Sequence, residues 1–193
     1  MVSIRKDAPR SVEERILDAA AACVVAYGVN RVTLAEIARR ARVSRPTIYR
    51  RWRDTDAVLA ALLTARIAGV LDAAPGDGVG RRSLVDRIVR VGEKLRNDEI
   101  VMSVIHSAPE LAMVYITERL GTSQQILIDA LAGEIRSAQD DGSVRPGEPR
   151  QLAAMCLLIT QSTIQSAQMV APLLDAESLS AELAHSLNGY LRP

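Results

Sequence analysis

The chain has 193 residues, 48% hydrophobic and 24% charged, which is enough to bury one sizeable core or a small module joined to a larger one, and too apolar for a disordered protein. No apolar run reaches the roughly 18 residues needed to cross a bilayer, and the N-terminal MVSIRKDAPRS lacks the apolar centre of a signal peptide, so a cytoplasmic protein with no membrane partner is expected. The net charge of +1 hides an asymmetry: residues 1 to 66 carry +6 and residues 67 to 193 carry −5, so one end of the chain is built to meet a polyanion.

Apolar residues recur at helical spacing throughout and alternating β-branched runs are missing, so the fold is expected to be all-α with about nine helices. Ala, Leu, Ile and Val dominate while aromatics are only 3% and Phe is absent, a composition that favours helices. A first helix runs from Val12 to about Tyr27, opened by a capping box between Ser11 and Glu14 and stopped by Gly28. Thr33 opens a second with the box Thr33–Glu36, and Leu34, Ile37, Ala38 and Ala41 form its buried stripe. A short third helix begins after Ser44, with Pro46 in its first turn, and ends near Arg51 or Trp52. Asp54 caps a fourth that continues to about Leu71, before the breaker-rich APGDGVG. Further helices are expected at about 83–97, 99–107, 109–139, 149–171 and 177–191. The polar TQSTIQSAQ, residues 160 to 168, interrupts an otherwise apolar helix. Cys23 and Cys156 sit in apolar helical patterns without metal or redox spacing, and read as buried reduced thiols.

The second and third helices, joined by the turn Arg42–Val43–Ser44 and locked by Ala41, Val43 and Ile48, make a helix-turn-helix, in which the second helix of the pair lies in the major groove of DNA. Eight arginines and a single acid, Glu36, fall between Arg31 and Arg53. Helical periodicity turns Ile48 and Trp52 inward and leaves Arg45, Pro46, Thr47, Tyr49 and Arg50 outward. Short polar groups and Arg reach base edges, whereas a Tyr hydroxyl, backbone amides and further arginines hold phosphates.

The stretch TLAEIARRARVSRPTIYRRW resembles the DNA-binding signature of the TetR family of bacterial transcriptional regulators, roughly T-x-x-x-I-A-x-x-A-G-V-S-x-x-x-x-Y-x-x-F/W. Thr33, Ile37, Ala38, Ala41, Val43, Ser44, Tyr49 and Trp52 fall in register, and the likeness covers about residues 12 to 60. It implies a DNA-binding domain, 1–54 with a basic N-terminal arm, followed by a ligand-binding and dimerisation domain, 55–193. Carried over by position, Thr33, Ser44, Arg45, Pro46, Thr47, Tyr49, Arg50, Arg51 and Arg53 form the DNA-binding set, with Arg5, Lys6 and Arg10 as arm contacts; Ile37, Ala38, Val43, Ile48 and Trp52 are structural. Two positions depart from the family. Arg42 replaces the usual turn glycine, placing a non-Gly residue in a left-handed conformation at a cost of about 1 kcal/mol. Thr55 stands where a phosphate-contacting lysine is usual, with Arg51 and Arg53 positioned to compensate.

In the second half, Met102, Ile105 and His106, then Met113, Thr117 and Leu120, then Met155, Ile159 and Thr163 are candidates to line a pocket for a small, mainly apolar effector. Leu179, Leu183, Leu187 and Tyr190 line one face of the last helix and are the candidate homodimer contact, which would set two reading helices about 34 Å apart on a palindromic operator. Two histidines, no HExxH, no phosphate loop and no Cys cluster leave no basis for an enzyme, a metal site or a cofactor. The expected function is a repressor that a small molecule releases from its double-stranded DNA operator. The alternative is a DNA-binding regulator without such an effector, architectural or controlled by a protein partner.

Overall fold

The computed structural model describes residues 11–76, 78–107 and 121–193, with only the backbone of Ile105. All regular structure in them is helical: α1 (Val12–Tyr27), a 3-10 turn (Val29–Arg31), α2 (Leu34–Ala41), α3 (Arg45–Tyr49), α4 (Thr55–Asp72), α5 (Gly80–Arg96), α6 (Glu99–Ser107), α7 (Thr122–Asp140), α8 (Pro149–Val170) and α9 (Ala176–Leu191). The chain divides into two compact units at Leu62/Leu63, within α4, where the sequence placed the boundary at residue 54.

In the first unit α1 packs on α2 and α2 on α3. Ile16, Ala20 and Cys23 of α1, Ile37 and Ala38 of α2, Ile48 of α3 and Val58 and Leu59 of α4 are buried, and Trp52 joins this core as expected. The α4 contribution explains the later boundary. The Ser11–Glu14 box forms in full, with the Glu14 amide donating to Ser11 Oγ (3.1 Å) and the Ser11 amide to Glu14 Oε2 (2.6 Å). The expected Thr33–Glu36 box forms only by half: Thr33 Oγ1 accepts the Glu36 amide (3.3 Å), but the Glu36 carboxylate takes two bonds from the Arg39 guanidinium, at 2.6 and 2.9 Å, instead of reaching back. A bidentate charge-assisted pair outcompetes a single backbone amide, and Arg39 holds the Glu36 carboxyl below its ordinary range.

The second unit is built on α5, α7, α8 and α9, which pack pairwise around Val85, Ile88, Ile135, Ala153, Cys156 and Leu187. Helix α5 starts at Gly80, a turn before the expected residue 83, because its cap comes from elsewhere in the chain: Ser143 Oγ accepts the Arg81 amide (2.8 Å). Gly80 takes φ +82°, and a Cβ there would meet Ser143 Oγ at 3.1 Å, so glycine is what lets the two segments meet. The helix expected at 109–139 is interrupted: Gly121 is extended and α7 begins at Thr122, while residues 109–120 lie outside the described residues.

The face of α9 expected to form a dimer contact is spent within the chain. Leu179, Leu183 and Leu187 are buried, the last two in the core shared with α5, α7 and α8. Tyr190 packs against the same core, with the Arg145 guanidinium over its ring at 4.6 Å and Arg145 Nε donating to its carbonyl at 2.9 Å. Period alone cannot say whether a leucine stripe meets a sister helix of its own chain or of another.

Candidate DNA-reading helix and effector cavity

The reading helix is placed by its caps. Ser44 precedes α3 in extended conformation, its Oγ accepts the Thr47 amide (3.3 Å), and Pro46 occupies the first turn, where an amide hydrogen would have no helical partner. Arg42 ends α2 at φ 54°, ψ 47°, the left-handed conformation expected of it. The Val43 amide then closes on the Ala38 carbonyl (3.0 Å), fixing the sharp turn into α3. Arg15 of α1 pins that turn, its Nη2 donating to the carbonyls of Ala41 (2.8 Å) and Arg42 (3.2 Å). Sequence reasoning missed Arg15, since nothing local marks a contact twenty-six residues away.

With Ile48 buried, Ser44, Arg45, Pro46, Tyr49 and Arg50 are exposed together and Thr47 is half-buried beside them. Thr33 is exposed at the start of α2. Arg45 and Arg50 form no ion pair among the described residues. The other two arginines are engaged: Arg51 Nη1 lies 3.1 Å from Glu13 Oε2, and Arg53 Nε lies 2.8 Å from Asp54 Oδ2. Thr47 also shares its hydroxyl with Ser44 Oγ (2.7 Å). Thr55 is the first residue of α4, whose Ala57 amide is capped by Asp54 (2.8 Å). The arm residues Arg5, Lys6 and Arg10 lie outside the described residues.

In the second unit, α4, α5, α6, α7 and α8 enclose a cavity of about 170 Å³. Leu63, Ile67 and Leu71 of α4, Ile88, Val91, Gly92 and Leu95 of α5, and Val101 and Val104 of α6 form part of its wall. Leu127 and Leu131 of α7 and Cys156, Leu157 and Ile164 of α8 complete the apolar lining. Six polar residues join them: Arg87, Ser123, Gln124, Thr160, Gln161 and Gln165. Burial pushes the Cys156 thiol up to about 12, so it stays protonated and serves as apolar lining.

The expected pocket residues fall largely on other faces. Val101 and Val104 of α6 line the cavity, while Met102 does not and His106 is exposed. On α8 the wall is formed by Cys156, Leu157, Thr160, Gln161, Ile164 and Gln165, whereas Met155 is 42% exposed and Ile159 and Thr163 lie on the flank. The choice of flexible and branched apolar residues picked a stripe one position out of phase. The odd polar stretch was the better signal: four of its residues, Thr160, Gln161, Ile164 and Gln165, are wall, and the hydroxyls of Thr160 and Thr163 satisfy themselves on the carbonyls of Cys156 and Ile159, both at 2.8 Å. Met113, Thr117 and Leu120, and the Ile105 side chain, lie outside the described residues.

Helix α4 is tied down beside this cavity. Arg87 Nε donates to the Ala74 carbonyl (2.6 Å), Arg90 Nη2 to that of Pro75 (3.2 Å) and Lys94 Nζ to that of Ala73 (2.7 Å), while Arg66 pairs with Asp98 at 3.4 Å. Cations on the carbonyls that follow a helix match its dipole and its unsatisfied acceptors.

Residues 16–62 match the model of bacterial regulatory proteins of the tetR family. An HTH-type transcriptional regulator of Mycobacterium bovis, Mb2274c, is 62% identical over 177 residues, 92% of this chain and 93% of its own length. The chain belongs to the TetR family. Two solved structures share the fold of this TetR-family regulator: the repressor QsdR of R. erythropolis, with TM-score 0.69 and 20% identity over 93% of this chain and 94% of that one, and FadR of Bacillus subtilis in complex with stearoyl-CoA, with TM-score 0.65 and 19% identity over 92% and 98%. Its relatives are transcriptional regulators and not enzymes. Among the described residues no helix is long and apolar enough to cross a membrane.

Proposed function

We propose that this regulator is a cytoplasmic repressor that holds a palindromic operator as a homodimer and leaves it when a small, mainly apolar effector enters the cavity. The observation that carries the reading is α4. It supplies Leu63, Ile67 and Leu71 to the cavity wall, and the same continuous helix begins at Thr55, directly after the reading segment. An effector that prefers one position of α4 would shift the balance between DNA-competent and DNA-incompetent forms by its difference in affinity for the two. The FadR structure, which carries stearoyl-CoA, supports a ligand in this fold.

In this reading Arg45, Pro46, Thr47 and Arg50 face bases, and Thr33, Ser44, Tyr49, Arg51 and Arg53 hold the backbone, the last two by exchanging Glu13 and Asp54 for phosphate. Exposed ion pairs are worth about 0–1 kcal/mol, so that exchange is cheap. The dimer surface we assign to the outer face of α8 and the turn after it, where Met155, Leu158 and Met169 of the helix and Leu173 of the turn are 42–88% exposed. The test is a gel shift of the full-length protein on its own promoter fragment. Sequence-specific retention, lost on adding an apolar compound that raises the Tm of the protein, supports the proposal. Retention unchanged by every stabilising compound would favour a regulator without an effector.

A further inference from the structure

The cavity has a charge character that composition does not reveal. Its one lining cation among the described residues, Arg87, has its charge balanced and each of its nitrogens engaged: Nη1 pairs with Glu134, Nε donates to the Ala74 carbonyl (2.6 Å) and Nη2 to the Leu71 carbonyl (3.3 Å). The other polar lining residues among those described, Ser123, Gln124, Thr160, Gln161 and Gln165, are uncharged. Here hydrogen bonding sets the direction of two of the wall amides, those of Gln124 and Gln161. The Gly121 amide can only donate, and it donates to Gln124 Oε1 (2.8 Å). Gln124 therefore turns its Nε2 to Gln161 Oε1 (3.1 Å), and Gln161 is left to present N–H donors at the wall.

We infer that the effector is electrically neutral: an aliphatic body with a single uncharged oxygen acceptor, an amide, ester, ketone or alcohol, received by Gln161. This rests on the reading of the cavity as the effector site. A carboxylate or phosphate would also accept from Gln161, but it would enter a largely apolar space whose one cation among the described residues already has a counter-ion, and an uncompensated buried charge is costly. The polar run at 160–168 then has a reason: Gln161 and Gln165 supply recognition without charge.

Calorimetric titration and thermal shift of the full-length protein with dodecanamide, 1-dodecanol, dodecanoate and dodecanoyl-CoA test this. Dodecanamide is expected to bind roughly tenfold or more tighter than dodecanoate at neutral pH. Glu134→Gln removes the counter-ion of Arg87 and should narrow that ratio in favour of dodecanoate; the ratio is insensitive to a general loss of stability. Gln161→Leu should weaken dodecanamide about tenfold, and a variant that binds dodecanamide as tightly as the unaltered protein overturns the role of Gln161. Dodecanoate or dodecanoyl-CoA binding as tightly as dodecanamide to the unaltered protein overturns the inference and leaves the effector reading standing. Absence of binding by all four compounds overturns both.

Discussion

The two sites of this regulator treat arginine in opposite ways. On α3 and just after it, arginines stand at the surface, two of them without an ion pair among the described residues and two in exposed pairs, which in the proposed reading give way to phosphate. In the cavity, Arg87 is held by a carboxylate that balances its charge and by two carbonyls. The contrast teaches that the same side chain is a binding group where water keeps its partners exchangeable, and a structural brace where burial makes losing a partner expensive. DNA binding should therefore depend steeply on salt, and effector binding hardly at all.

The sharpest way to separate the sites is to fill one of them. Val91→Trp, on the cavity wall, should raise the effector concentration needed for operator release by about a hundredfold while leaving operator retention intact; a gel shift across an effector titration reads this, and loss of DNA binding as well would show that the sites cannot be uncoupled. Next in size, Arg45→Ala should cost about 1–3 kcal/mol of discrimination between operator and mismatched DNA, measured by competition binding. An equal loss on all sequences would move Arg45 from the bases to the backbone.

Smaller effects probe the exchangeable pairs. Arg51→Ala should weaken binding to every sequence alike and reduce the salt slope by about 1. Glu13→Gln should do the reverse, strengthening binding about twofold to fivefold by freeing Arg51 from its partner; fluorescence anisotropy at several salt concentrations checks both. The smallest change is expected at the turn. Arg42→Gly relieves a left-handed residue but adds freedom to the unfolded chain, for a net gain of about 0.5 kcal/mol in urea unfolding.

How far each site was legible in the sequence follows from how its contacts are distributed along the chain. Every element of the reading helix, from the Thr33 cap to Trp52, lies within twenty residues, and local rules place all of it: caps, the proline, the helical period and the left-handed turn. The exceptions are the contacts from outside that window, Arg15 on the turn and Glu13 on Arg51. The cavity draws on five helices between Leu63 and Gln165, and its lining depends on the phase at which each meets the others. For α8 an apolar stripe through Met155 and one through Cys156 are equally good helices, and only packing against α5 and α7 chose Cys156 for the interior.

The sequence by itself determined an all-helical chain with a basic reading segment at one end, because capping, periodicity and charge are local properties. It also determined that α9 would carry a buried leucine face. Only the tertiary structure decided that this face is buried within its own chain, that Arg87 is neutralised by Glu134, and that Gln124 turns Gln161 into a donor at the cavity wall. Those outcomes depend on which distant groups arrive beside one another, and burial free energy, being non-directional, leaves that choice to the packing of the whole unit.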